Sequence, residues 1–343
     1  MASGAGQQNR LQAFGQWLRA GPWGPRVAPA KGIPVSDFFA LAFGRAPSPA
    51  ELRVIDGMFG SQRVESASDA HQLILAFDAQ SHPTPFVVRA TGDNFVTVDL
   101  GRFALWLDRA DSAVSAVIQH EREWEPHVTD VLVGALQPGS AFVDIGANVG
   151  YHTFLAASIV GTDGSVLAVE AQPENSRLLE MSKAHNGSDN VTIMPVALDR
   201  EPGLLYLSSH LGSNAGLVAG SAANLLAGLG AVTYATTLDE IAPPRVDVMK
   251  IDVEGAEFRV LEGGRKTIER DKPLIVMEFS VEMSERVSGG DAGDALQGLL
   301  DLGYSLFVLD RSTRERRPFA SAAALLEQWG DPLRIEDLLL DPA

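Results

Sequence analysis

The chain contains no cysteine. Disulfides, thiolate metal sites and cysteine nucleophiles are therefore excluded. It also lacks any run approaching the roughly 18 to 20 apolar residues of a membrane-crossing helix. The first residues, "MASGAGQQNRLQAFGQW", carry neither a basic start nor an apolar core of the secretory type, so a cytoplasmic protein is expected. Positive charge is short: 27 basic residues stand against 44 acidic ones, a formal net charge of -17. Proteins that track phosphate backbones carry a basic face, so nucleic acid is not an expected partner. The stretch "RSTRERR", 311–317, reads as a solvated basic turn. Finally, the G-x-G-x-x-G spacing that fits a pyrophosphate against a helix is missing from the glycine loop described below.

What is present falls into segments. Residues 1–33, rich in Gly, Ala, Pro and Gln, read as a loose leader. Residues 34–81 read as a small helical subdomain, in which "SPAE" starts a helix with Ser48 as cap and Pro49 at the first position. Residues 82–130 are expected to form a hairpin, "FVVRA" and "FVTVDL" about the turn "TGDN", followed by a lead-in helix. From 131 to 343 strand-like and helix-like segments alternate. The runs "AFVDI", "SVLAVE", "VTIMPVA", "VDVMKID", "PLIVMEF" and "SLFVLD" are continuously apolar, as strands covered on both faces are. That alternation predicts an α/β, doubly wound, mostly parallel sheet. The Gly/Ala-rich stretch 212–231 reads as a surface insertion, or as a cover over a site.

Two constellations carry chemistry. In "FVDIGANVGYHT", 142–153, a strand ends at Ile145 and a helix begins at Tyr151. Ligands of doubly wound sheets bind beyond the carboxyl ends of strands. Gly146 and Gly150 allow a tight turn and close approach to a ligand. Asp144 can face a ligand ammonium, and Glu170, ending the next strand, can accept the hydroxyls of a ribose. A ribose on one side and a zwitterion on the other suit S-adenosylmethionine better than a dinucleotide. The second constellation, "VDVMKIDVEGAEFRVLEGG", 246–264, brings Lys250, Asp252 and Glu254 to the same edge, and "PLIVMEF" adds Glu278. Three neighbouring carboxylates repel, which raises the pKa of at least one unless Lys250, a metal or a substrate offsets it. Glu257 reads as a helix-start acid.

These stretches, with "VEAQPEN", "TTLDEI" and "KPLIVMEF", resemble the FkbM family of S-adenosylmethionine-dependent methyltransferases over roughly 95–310. The resemblance implies a class I methyltransferase (Rossmann-like) fold with a seven-stranded sheet, one strand antiparallel. It implies O-methylation of a glycan or secondary-metabolite hydroxyl, the acceptor being a small molecule, a glycan or carrier-bound. By position it places Asp144, Gly146, Asn148, Gly150 and Tyr151 around the methionine end, Glu170 on the ribose, Ala197 beside the adenine, and Asp252 facing the methyl group. One departure is Ala171-Gln172, where the family often has proline after the glutamate. Asp252 is the first candidate for general base, with Glu254 and Glu278 behind it, whereas His152 reads as a packing residue. No His/carboxylate ligand set stands out and no metal is expected, although an ion on Asp252 and Glu278 would be another way to acidify a hydroxyl. A nicotinamide-dependent oxidoreductase and a non-catalytic scaffold, its N-terminal helices docking a protein partner, are the competing expectations.

Overall fold

The computed structural model describes residues 33–34, 63–64, 95–208 and 230–342. The leader, the helical subdomain, the strand "FVVRA" and 212–229 of the insertion lie outside the described residues, apart from a short antiparallel pair, β1 (Ile33–Pro34) with β2 (Arg63–Val64). The chain divides into two units, Met1–Arg89 and Ala90–Ala343. Everything below concerns the second. Among the described residues no helix is long and apolar enough to cross a membrane.

Among the described residues the second unit opens with a hairpin. β3 (Phe95–Asp99) pairs antiparallel with β4 (Ala104–Asp108), which follows it in the chain. The reversal is local: Gly101, in the left-handed region, donates its N–H to Asp99 Oδ1 at 2.8 Å. Helices α1 (Val114–Glu121) and α2 (Pro126–Ala135) come next. Then β5 (Ala141–Ile145), α3 (Tyr151–Val160), β6 (Ser165–Val169), α4 (Pro173–Asn186) and β7 (Val191–Met194) form the first half of the sheet. Asn186 clamps α4 to β4, accepting from Ala104 N at 2.8 Å and donating to Ala104 O at 2.7 Å.

A small separate sheet interrupts the winding: β8 (Ala197–Leu198), β9 (Gly203–Ser208) and β10 (Gly230–Thr236), in the order β8-β10-β9. The run "VTIMPVA" is thus two strands in two sheets, broken at Pro195, which has no N–H to donate to a ladder. After α5 (Leu238–Ile241) come β11 (Val248–Ile251), α6 (Glu257–Gly263), α7 (Arg265–Asp271) and β12 (Leu274–Phe279). The chain ends with α8 (Val281–Ser288), α9 (Ala292–Asp301), β13 (Tyr304–Leu309), β14 (Arg316–Phe319), α10 (Ala322–Trp329) and β15 (Glu336–Pro342).

The main sheet has eight strands in the order β14-β13-β15-β12-β11-β5-β6-β7. β7, β6, β5, β11 and β12 are mutually parallel, and β15 inserts antiparallel between β12 and β13. The sheet therefore has eight strands where seven were expected, and two of them, β15 and the edge strand β14, run against the rest. The eighth, β14, is an addition: a short edge hairpin strand whose first three residues are exposed. All five residues of β5 are buried, Asp144 among them, which is why its sequence is an almost unbroken apolar run. From β5 the chain winds outward through β6 and β7, then returns to β11 on the other side of β5. The reversal of strand order between β5 and β11 opens the crevice where such sheets bind ligands.

Candidate active site

A cavity of about 380 Å³ opens at this switch point. It is lined by the carboxyl ends of β5, β6, β11 and β12, with Trp124 and Glu125 from the segment before α2 and Arg311 from the turn after β13. Such a volume falls in the range of small-molecule sites, roughly 300 to 1,000 Å³.

The first loop is shaped by contacts within the protein. Gly146 sits at φ +77°, and a Cβ there would lie 1.8 Å from the Asp252 carbonyl oxygen. The loops after β5 and β11 therefore touch backbone to backbone, and Asp252 N donates to Ile145 O at 3.0 Å. Gly150, at φ +93°, starts α3 against Leu179 and Phe154 and is not among the lining residues. Its glycine serves helix packing and not, as the sequence suggested, ligand approach.

Asp144 is 1% exposed. Its Oδ2 accepts from Thr153 Oγ1 at 2.6 Å, while its Oδ1 has no hydrogen-bond partner. Burial pushes its pKa up, against the pull of Lys250, its register neighbour on β11. Glu170 lies across the loop. Its Oε2 accepts from Asn148 N and its Oε1 from Gln172 N, both at 2.7 Å, so it stitches together the loops after β5 and β6. Burial raises its pKa to about 7 in spite of these amides. Asn175 also hydrogen-bonds this carboxylate through its side chain, and a carboxylate's roughly four lone-pair sites leave room for a ligand hydroxyl. Asn148, in the left-handed region at φ 52°, Tyr151 and Ala197 also line the cavity.

The other wall is acidic. Lys250 is 5% exposed and donates from Nζ to Asp252 Oδ2 at 2.8 Å. Burial works against its charge, but Asp252, Glu125 and Asp144 outweigh that and keep it protonated. Glu254, in the left-handed conformation at φ 55°, makes no hydrogen bond or ion pair among the described residues. Burial, with Asp252 close by, raises its pKa to about 7. Glu278 accepts from Arg311 Nη2 at 3.3 Å and is pushed up by burial and then by Asp252 and Glu254. One oxygen each of Asp252, Glu254 and Glu278 lies within 4.8 Å of the others. The three candidate bases are thus brought together at one edge. Glu257 is not with them: its buried carboxylate accepts from Gly255 N at 2.9 Å and Val253 N at 3.3 Å, tying the turn that starts α6.

Sequence reasoning missed three side chains here. Glu125, at φ 42° where α2 begins, presents to the cavity a carboxyl whose Oε2 is sealed from solvent, has no hydrogen-bond partner among the described residues and lies 3.9 Å from His152 Nδ1. Its pKa is raised by burial, with Lys250 opposing. Arg311 is the exception in the basic turn: it reaches over the rim to Glu278 and to Asp337 Oδ2 at 3.0 Å, whereas Arg316 and Arg317 are solvated as expected. Asp337, 3% exposed on β15, is braced by His127 Nε2 at 2.6 Å. The only signal for these was polar residues flanking helix and strand ends, and the His127–Asp337 pair joins positions 210 apart in the chain. His152 packs as expected: it is buried, 3.4 Å from Thr129 Oγ1, and burial holds its pKa well below the usual imidazole value.

Strand order, the reversed β15 and a crevice at the β5/β11 switch define a class I methyltransferase fold. Residues 144–306 match the family model described as the Methyltransferase FkbM domain. A stretch of 57 residues is 39% identical to an arsenite methyltransferase of Halobacterium salinarum, covering 17% of this chain and 15% of that protein. Among solved structures, the methyltransferase FkbM of Methylobacillus flagellatus matches at 14% identity and a TM-score of 0.38, over 62% of this chain and 50% of its own. A SAM-dependent O-methyltransferase of Thermotoga maritima matches at 14% and 0.37, over 70% and 74%. The chain thus spans 15% of the curated relative and half of the first of these structures.

Proposed function

We propose that the protein is an S-adenosylmethionine-dependent methyltransferase acting on a hydroxyl of a glycan or secondary metabolite. The observation that carries this is Asp144 Oδ1, buried and without a partner, in one cavity with Glu170 on the far side of the Gly146 loop. An orphaned carboxylate oxygen is costly unless a ligand donor satisfies it, and an ammonium does so with opposite charge.

S-adenosylmethionine, when bound, supplies a methyl group on a positively charged sulfur. Asp144 holds the ammonium, Glu170 accepts from the ribose hydroxyls, and Val196, Ala197 and Leu198 form the apolar wall for the adenine. Asp252 would accept the proton of the acceptor hydroxyl, for which bound S-adenosylmethionine would supply the methyl group. Lys250 fixes one oxygen of Asp252, so the carboxylate is oriented before the acceptor arrives. Glu254 and Glu278 stand behind it as alternative proton acceptors.

The test is incubation with radiolabelled methyl donor and fractionated native cell extract, with mass analysis of the labelled species. A hydroxyl compound gaining one methyl, lost with Asp252→Asn, is the expected result. Cofactor binding without label in any fraction would favour a scaffold. A rise in melting temperature with NAD but not with S-adenosylhomocysteine would favour an oxidoreductase.

A further inference from the structure

Glu278 and Asp337 stand directly opposite each other on the antiparallel strands β12 and β15. The pairs next to them on the same ladder are apolar: Met277 with Leu338, Val276 with Leu339 and Ile275 with Leu340. Side chains opposed in this way share one face with Cβ atoms about 5 Å apart, where like charges destabilise a sheet. Apolar residues of similar volume are commonly no less stabilising than buried ionic groups. Stability alone therefore gives no reason for two acids at this rung.

A clamp holds them. Arg311 follows Leu309 by two positions, and Leu309 faces Asp337 from β13, on the other side of β15. The guanidinium spans both carboxylates. Its Nε and Nη2 lie 3.1 and 3.0 Å from Asp337 Oδ2, and Nη2 also donates to Glu278 Oε1 at 3.3 Å. Asp337 is the firmer anchor, with two contacts against one longer one. From α2, His127 Nε2 lies 2.6 Å from the same Asp337 oxygen. The other ring nitrogen, Nδ1, is buried without a hydrogen-bond partner among the described residues, a cost carried to keep the ring at Asp337. The four groups differ in place. Glu278 and Arg311 line the cavity, whereas Asp337 and His127 are not among its lining residues and are only 4% and 5% exposed. Arg311, 41% exposed, is a long side chain that loses rotamer freedom when held. Without Asp337, the single contact to Glu278 is all that would restrain its guanidinium among the described residues.

We infer that Asp337, backed by His127, is a positioning residue for methyl transfer: acting through Arg311, it fixes the Glu278 carboxyl at the acceptor edge of the cavity. The inference rests on the methyltransferase reading for the reaction at that edge. Neither Asp337 nor Arg311 bonds to Asp144 or Glu170, so cofactor binding does not depend on the clamp.

The assay is transfer of radiolabelled methyl from S-adenosylmethionine into the extract fraction that the wild type labels, using full chains first shown to be folded. Arg311→Ala and Asp337→Ala should each lower the initial rate at least tenfold, and Asp337→Asn, which keeps an acceptor oxygen, should lower it less. The double variant should be no slower than Arg311→Ala alone, because one residue acts through the other. Affinity for S-adenosylhomocysteine should stay within about twofold of wild type throughout, and Arg316→Ala, exposed on β14, should change neither quantity. Losses that multiply in the double variant, a wild-type rate in either single variant, or cofactor affinity falling in step with rate would overturn the inference. Should Asp337→Ala not fold, or no fraction take up label, side-chain NMR of the ¹⁵N-arginine-labelled chain decides. The Arg311 Nε–H signal, assigned by its loss in Arg311→Lys, should exchange slowly with water in the wild type and at least threefold faster in Asp337→Asn. Equal exchange in the two proteins would overturn the inference. A wild type that binds no S-adenosylhomocysteine yet shows the Asp337-dependent signal defeats the cofactor reading and leaves the clamp standing; normal cofactor binding with equal exchange defeats the clamp alone.

Discussion

Replacing Gly146 by alanine should damage the protein twice, through stability and through the site. At φ +77° an L-residue is strained, at a cost of about 1 to 2 kcal/mol. The added Cβ would also stand 1.8 Å from the Asp252 carbonyl oxygen and 2.8 Å from its carbonyl carbon. Ordinary C···O contact is near 3.5 Å, so one loop must retreat by on the order of 1 Å or more. Backbone on both sides makes that retreat expensive, and overpacking of this kind costs about 1 to 3 kcal/mol. The sum is about 2 to 5 kcal/mol, measured by urea unfolding. The retreat also moves Asp252 and loosens the loop between Asp144 and Glu170, so S-adenosylhomocysteine binding should fall at least tenfold in calorimetry. Gly187→Ala is the matched control: φ is +61° but nothing lies within 4 Å of the new Cβ. Only the conformational cost of about 1 to 2 kcal/mol is then expected, with binding intact. If Gly146→Ala is no less stable than Gly187→Ala and binds normally, the backbone contact between the two loops is not what shapes the site.

Two further outcomes are expected. Glu170 titrates near 7 in the fold against about 4.5 unfolded, so the native state holds its proton more tightly. Its contribution to stability is therefore full below about pH 4.5 and declines as the pH rises to about 7. The decline is about 3 kcal/mol and should vanish in Glu170→Gln, measured by urea unfolding across that range; equal slopes in both proteins would count against the burial argument. Asp199, 2% exposed, holds Arg259 through two hydrogen bonds of 2.8 and 2.5 Å. Asp199→Ala should cost about 2 to 3 kcal/mol, below the roughly 3 to 5 kcal/mol of a fully buried pair because Arg259 is partly solvated; a loss below 1 kcal/mol would mean the pair is dispensable.

The central strands were readable because burial on both faces leaves so little freedom. Asp144 is the one polar residue of β5 and stands out, and β6 is apolar beyond its exposed first residue. The same logic located Asp252, Glu254 and Glu278, each at or just beyond the end of a continuous apolar run. What escaped had weaker local signals. β14 is mostly exposed and polar, and β15, "EDLLLDP", has only a short apolar centre. Glu125 and Arg311 look like ordinary surface charges in sequence. They enter the cavity because α2 and the turn after β13 are brought over the sheet edge, and because Asp337, from the last strand, sits beneath both His127 and Arg311. Long-range juxtaposition of this kind leaves no spacing to read. The glycine loop shows the opposite case: its residues were legible, but the reason for Gly146 lay in a strand more than a hundred positions away.

The most direct measurement is calorimetric titration of S-adenosylhomocysteine into the wild-type chain and into Asp144→Ala and Glu170→Ala, each first shown to be folded. The account predicts one molecule bound per wild-type chain and at least a tenfold loss of affinity in either variant. Absence of binding to the wild type, or undiminished binding to both variants, would contradict it.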